Sequence, residues 1–220
     1  VVRAVVFDLW QTLAVWPEES TAKLRRAWAE LVGVPGERLE QGWLDHDLYR
    51  LRETGPIAPA IAALYERLGI DADAHAILPR RLELTREALV PVAGAVSTLR
   101  ELRRRGIGTG LISNCTEEVP LVWDETPFSG LFDAAVFSAT AGLLKPDPRI
   151  YEHACERLGV DPGEALFVGD GANDELRGAE RVGMTPVLVD LDGEGPAWEG
   201  VRDWDGLRIS AIPQVLELVP

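Results

Sequence analysis

The stretch VVRAVVFDLWQTLAV (residues 1–15) holds an apolar, β-branched run at Ala4–Phe7 and changes character at Asp8. Apolar residues at consecutive rather than alternate positions predict a strand covered on both faces. Similar runs recur at Ile107–Ile112, Ala134–Phe137, Ala165–Val168 and Pro186–Val189. Helical periodicity separates most of them. Val96–Arg105 sets Leu99 and Leu102 on one face before Gly106. Pro148–Leu158 aligns Ile150, Ala154 and Leu158 before Gly159. Strands alternating with helices predict an α/β fold built on a doubly wound parallel sheet.

Residues 16–91 break that rhythm with helix after helix. Ser20 is the expected cap of the first, which runs through Leu24, Trp28 and Leu31 to Gly33. Others are expected over Glu37–Arg52, Ala58–Leu68 and Ala72–Leu89, punctuated by Gly55-Pro56 and Gly69. The expected organisation is an α/β core over 1–15 and 92–220 with a small all-helical domain over 16–91. Trp28, Trp43, Tyr49 and Tyr65 fall in the helical part as its own core, with one or two facing a ligand. The crossings at Ala14–Pro17 and Leu89–Ala93 are the expected hinges.

The 220 residues carry 36 acidic and 22 basic side chains, net −14. That sign argues against nucleic acid as a partner. Residues 16–91 hold 13 acids and 10 bases, so the excess lies in the α/β part. Cys115 and Cys155 have neither metal-ligand spacing nor the density of a disulfide scaffold. No apolar run has membrane-span length, and the N-terminal stretch lacks the basic head and cleavage site of a signal peptide. Free thiols in a cytoplasmic protein, a monomer or homodimer, are the expectation.

Ligands of an open parallel sheet bind beyond the carboxyl ends of its strands. The polar residues cluster there: Asp8, Gln11 and Thr12; Ser113, Asn114 and Thr116; Lys145; and Asp170, Asn173 and Asp174. Buried carboxylates need compensation, and three of them with one ammonium fit a divalent cation. Lys145 is one of only two lysines against twenty arginines, which favours a role for a compact point charge.

Four segments in order, FDLWQTL (7–13), LISN (111–114), LLKPDP (143–148) and VGDGANDELRGA (168–179), resemble the four motifs of the haloacid dehalogenase (HAD) superfamily. The resemblance implies a Rossmann-like core with a helical cap, Mg²⁺ as cofactor and a small anionic substrate. Asp8 is then the nucleophile, and Thr12 braces its loop. Ser113 and Lys145 hold the transferring phosphoryl group, and Lys145 keeps Asp8 ionised. Asp8, Asp170 and the Trp10 backbone carbonyl are the implied metal ligands, with Asp174 supporting the metal shell. Gly169 and Gly171 let the backbone turn around it. Asn114 either donates to substrate or caps the next helix.

One position departs from the pattern. Family phosphatases carry a second Asp two residues after the nucleophile, as general acid. Here it is Trp10, whose indole has no titratable proton near neutral pH, and Gln11 replaces the usual Gly. A phosphatase with its acid from the cap (His46, Asp47 or Asp45) or with a good leaving group is the favoured reading, because Asp170 and Asp174 are retained. A 2-haloacid dehalogenase acting through an Asp8 ester is the alternative, since that branch has an aromatic residue at this position and a tyrosine at the place of Tyr151. A non-catalytic binding or regulatory member is the third. Arg25, Arg26, Arg38, Arg50 and Arg52 are the cap cations available to an anionic substrate.

Overall fold

The computed structural model describes residues 1–191 and 198–220. Its centre is a six-stranded parallel sheet: β1 (Ala4–Phe7), β2 (Gly108–Ser113), β3 (Ala134–Phe137), β4 (Ala165–Gly169), β5 (Thr185–Val189) and β6 (Leu207–Ile209), in the order β3-β2-β1-β4-β5-β6. Because strand side chains alternate, β1 feeds two cores at once. Val5 and Phe7 pack on one face with Leu99 and Leu102, from the helix Ala95–Arg104. Ala4 and Val6 pack on the other with Ile150, Tyr151 and Ala154, from the helix Pro148–Leu158. The five expected strands are present. The sixth, β6, was not anticipated: its three residues, two of them exposed, carry no apolar run.

β1 lies between β2 and β4, so successive connections leave it in opposite directions. This is the topological switch point, and it opens a crevice at the strand's carboxyl end. Asp8 starts there, its N–H donating to the Val168 carbonyl at 2.8 Å.

Five helices fill the expected helical stretch: α1 (Glu18–Val32), α2 (Gly36–Trp43), α3 (His46–Glu53), α4 (Ala58–Leu68) and α5 (Leu78–Ala88). They build an apolar cluster of their own, including Trp28, Leu39, Leu48, Ile61, Leu64 and Tyr65. The Trp28 indole donates to the Tyr65 hydroxyl at 2.8 Å, so its burial leaves no donor unpaired. Three local expectations are corrected. Pro17, not Ser20, sits at the cap of α1, and Ser20 is buried within it. The stretch 37–52 is two helices, because Asp45 caps α3 by accepting the Asp47 N–H. α5 begins at Leu78, with Pro79 in its first turn, rather than at Ala72. The two crossing segments run side by side, the Val92 N–H donating to the Leu13 carbonyl at 2.8 Å. Among the described residues no helix is long and apolar enough to cross a membrane.

Gly110 in β2 marks how tightly sheet and helix approach. A Cβ there would lie 2.9 Å from both Val6 Cγ2 and Leu158 Cδ1. Val6 is fixed in the sheet, so Gly110→Ala should cost about 1–3 kcal/mol by overpacking, measured as a lowered urea midpoint with unchanged slope.

Candidate active site

Each strand end delivers one part of the site. The loop after β1 brings Asp8, buried at 5% exposure; the loop before the helix Pro148–Leu158 brings Lys145; the end of β4 brings Asp170. The Lys145 ammonium bonds the Asp8 carboxylate and Glu175 Oε2, the latter at 2.5 Å. Asp8, Asp170 and Glu175 each present an oxygen within 4.8 Å of the others.

Burial lifts the pKa of Asp8 above the usual carboxylate range; Lys145 opposes that and Asp170 adds to it. Burial likewise pushes Glu175 well up, against the pull of Lys145. Desolvation works against the charge of Lys145, but Asp8 and Glu175 outweigh it and hold its pKa above the ordinary value.

Glu175 was not singled out in the sequence, where Asp174 took that place. The structure sends Asp174 outward. Its side chain is half exposed and pairs with Arg181 at 3.1 Å and Arg177 at 3.8 Å. The reason is local: Asn173 and Asp174 adopt left-handed backbone (φ 53° and 57°) just before the helix Glu175–Arg181. The first helical residue, Glu175, therefore turns inward. Its Oε1 accepts the Gly171 N–H at 3.0 Å, and its backbone carbonyl accepts the Tyr151 hydroxyl at 2.9 Å. Gly171 does adopt a turn conformation, with φ of 90°. Gly169 serves space instead: a Cβ there would lie 2.2 Å from Glu175 Oε1.

Asn114 neither caps a helix nor is free. Its Oδ1 accepts the Lys145 N–H at 2.8 Å, and its Nδ2 donates to the Lys145 carbonyl at 3.1 Å and to the Tyr49 hydroxyl at 3.3 Å. It clamps the lysine loop at two points. Ser113 is fully buried beside it. Thr12 is fully buried too, but its hydroxyl finds no partner among the described residues, so it makes no side-chain hydrogen bond that would brace the loop. Gln11 has φ of 59°, the conformation a glycine would hold without strain. Asp170 accepts from the Ala172 N–H at 3.1 Å and from the Trp198 indole at 2.6 Å; no sequence pattern pointed to Trp198.

Of the cap acids, Asp45 is tied to Arg67 and the α3 cap, while His46 and Asp47 are exposed. Glu53 is the buried carboxyl of that layer; burial raises its pKa, and it pairs with Arg52. Arg52 is itself buried and Arg25 pairs with Glu40, so neither is a free surface cation. Burial pushes the Cys115 thiol up, as suits a packing residue rather than a nucleophile.

Residues 2–183 match the haloacid dehalogenase-like hydrolase family. The chain belongs to it. This HAD-like hydrolase is 30% identical over 200 residues to a glyceraldehyde 3-phosphate phosphatase of Methanopyrus kandleri, covering 86% of this chain and 84% of that one. It is 28% identical over 207 residues to (S)-2-haloacid dehalogenase 4A of Burkholderia cepacia, covering 90% and 87%. Its fold superposes on an HAD phosphatase from Thermococcus onnurineus with a TM-score of 0.72 at 23% identity, over 99% of this chain and 97% of that one. The L-2-haloacid dehalogenase of Xanthobacter autotrophicus gives 0.73 at 21%, over 99% and 98%.

Two neighbouring acids of the HAD-like hydrolase thus differ in surroundings, and their substitutions should separate. Where a divalent cation such as Mg²⁺ occupies the acidic cluster, Glu175→Gln should weaken its binding about 10–100-fold, as loss of a supporting carboxylate does. Asp174→Asn should leave it within about twofold. Calorimetric titration of the two variants checks this. In chelator, Lys145→Met should destabilise the fold by about 3–5 kcal/mol, because it strands buried carboxylates.

Proposed function

We propose that this HAD-like hydrolase is a Mg²⁺-dependent phosphatase acting on a small phosphorylated metabolite through an aspartyl-phosphate at Asp8. The observation that carries the reading is the packing of Asp8, Asp170 and Glu175 within 4.8 Å of one another beside a buried lysine. Three buried carboxyls share one ammonium, and burial still pushes Asp8 and Glu175 toward their neutral forms; a divalent cation with its preference for hard oxygen donors would favour the carboxylates. Asp8, Asp170 and the Trp10 carbonyl would hold it, with Glu175 supporting. When bound, Mg²⁺ withdraws charge from the phosphoryl oxygens.

The chain's own groups do the rest. An Asp8 oxygen forms the new bond to phosphorus as the bond to the leaving oxygen breaks, and the electron pair departs with that oxygen. Lys145 and Ser113 offset the charge on the transferring group. Asn114 acts through Lys145, holding its backbone at two points. Trp10 donates no proton to the leaving oxygen, and of the cap candidates Asp45 is tied to Arg67 while His46 and Asp47 are exposed. The reading therefore favours leaving groups that are stable as anions, acyl phosphates above all. Relatives named as phosphatases support it, and two buried free thiols suit a reducing cytoplasm.

A second reading, 2-haloacid dehalogenase, draws on Trp10 and on the dehalogenase relatives. Two features weigh against it: the Tyr151 hydroxyl is committed to the Glu175 carbonyl, and a metal-free dehalogenase has no use for the cluster that Asp8, Asp170 and Glu175 form.

Asp8→Asn should abolish hydrolysis of acetyl phosphate with circular dichroism unchanged, and EDTA should stop the wild type. Chloride release from 2-chloropropionate in EDTA would establish the dehalogenase instead. Trp10→Asp should raise phosphomonoester turnover by about 10²-fold or more, because it restores the missing acid.

A further inference from the structure

The segment Trp198–Val201 lies outside residues 2–183, the stretch that matches the family, yet it packs on the loop that carries Asp170. Val201 is buried in one apolar cluster with Phe167, Leu176 and Leu188. Its fit to the loop is close: a Cβ on Gly171 would lie 2.7 Å from Val201 Cγ2 and 2.8 Å from Cγ1. A 3₁₀ turn over Glu199–Val201 ties Trp198 to this anchor, the Trp198 carbonyl accepting the Val201 N–H at 3.2 Å.

Trp198 itself stays 44% exposed. Burial alone does not account for an indole left half in water, but its N–H does. That N–H donates to Asp170 Oδ2 at 2.6 Å, while the Ala172 N–H donates to Oδ1 at 3.1 Å. One donor on each oxygen sets the plane of the carboxylate. Among the described residues, Trp198 is the one donor to Asp170 from outside its own loop. Each carboxylate oxygen has a further lone pair, so both bonds can persist while a cation is bound. The kind of donor matters as well. A guanidinium would bond the carboxylate more strongly, and the chain has twenty arginines, but its charge would repel a metal ion. An indole N–H donates without charge.

We propose that Trp198 is a positioning residue for the cation site: its N–H holds Asp170 in the orientation that takes a divalent ion. The inference rests on the reading of Asp170 as a metal ligand. Trp198 acts through the carboxylate, as the outer hydrogen-bond partner of a ligand does.

The test is calorimetric titration of the full chain with Mn²⁺ alone, which reads the site without turnover. Two replacements divide the indole. Trp198→Phe keeps an aromatic ring and loses the N–H. Trp198→His loses the benzo ring and keeps an N–H, because imidazole Nε2 stands at the ring position of indole Nε1. At about pH 8 that imidazole is neutral. Trp198→Phe should weaken Mn²⁺ binding about tenfold, and Trp198→His should bring it back close to wild type. Trp198→Leu is the second donor-free variant, should the first not fold. A role in packing alone would give the reverse order, with the Phe variant close to wild type and the His variant weakened, and overturns the proposal. Equal affinity in all the variants overturns it too. So does tighter binding in the Phe variant, which would mean that the indole competes with the ion. Each of these outcomes leaves the metal-dependent reading standing. Wild-type protein that binds no Mn²⁺ would sink that reading and this inference together.

Discussion

A buried ammonium is what lets three carboxylates meet at the end of this sheet. Asp8, Asp170 and Glu175 lie within 4.8 Å of one another and are nearly excluded from water. Desolvation and mutual repulsion push protons onto them, and Lys145 opposes that push without cancelling it. Lys145 supplies one positive charge between Asp8 and Glu175 and leaves a deficit that a cation can fill. Much of the surrounding architecture serves the position of that one group. Asn114 holds the lysine backbone from β2, and the Tyr151 hydroxyl fixes the start of the helix that bears Glu175. Gly178 admits the tyrosine, since a Cβ there would lie 2.5 Å from its hydroxyl oxygen.

The parts of this arrangement that were legible in the sequence are those tied to strand ends. Asp8 and Asp170 each close a short apolar run, and a run buried on both faces has one reading. Lys145 stood out because the chain otherwise uses arginine almost throughout. Glu175 was hidden by its neighbour. Two consecutive acids before a helix look alike in sequence, and the left-handed turn at Asn173 and Asp174 decides which faces inward. Asn and Asp are the non-glycine residues that most readily adopt that turn, but the pair alone does not say which of the two acids after it faces inward. Trp198 was hidden for another reason: its contact with Asp170 spans 28 residues and belongs to no periodic element. The break between α2 and α3 rests on Asp45 capping, a choice that also had to be made against continuous helical periodicity.

Trp10 links the chemistry to the pocket wall. At that position an acid would shuttle a proton; an indole instead extends an apolar wall. Its ring meets Trp16 edge-on, with centres 5.4 Å apart, and both border the space under the helical layer. Exchanging a carboxyl for an aromatic ring removes a factor of about 10²–10⁴ from catalysis of poor leaving groups. The same exchange adds apolar surface to the pocket wall beside Asp8. The two effects select in one direction. A leaving group that needs no proton is one whose oxygen already bears a delocalised charge, as in an acyl phosphate, and such a group is the one an apolar wall in place of a carboxyl disfavours least. Loss of the acid and a more apolar pocket wall are then two consequences of a single side chain.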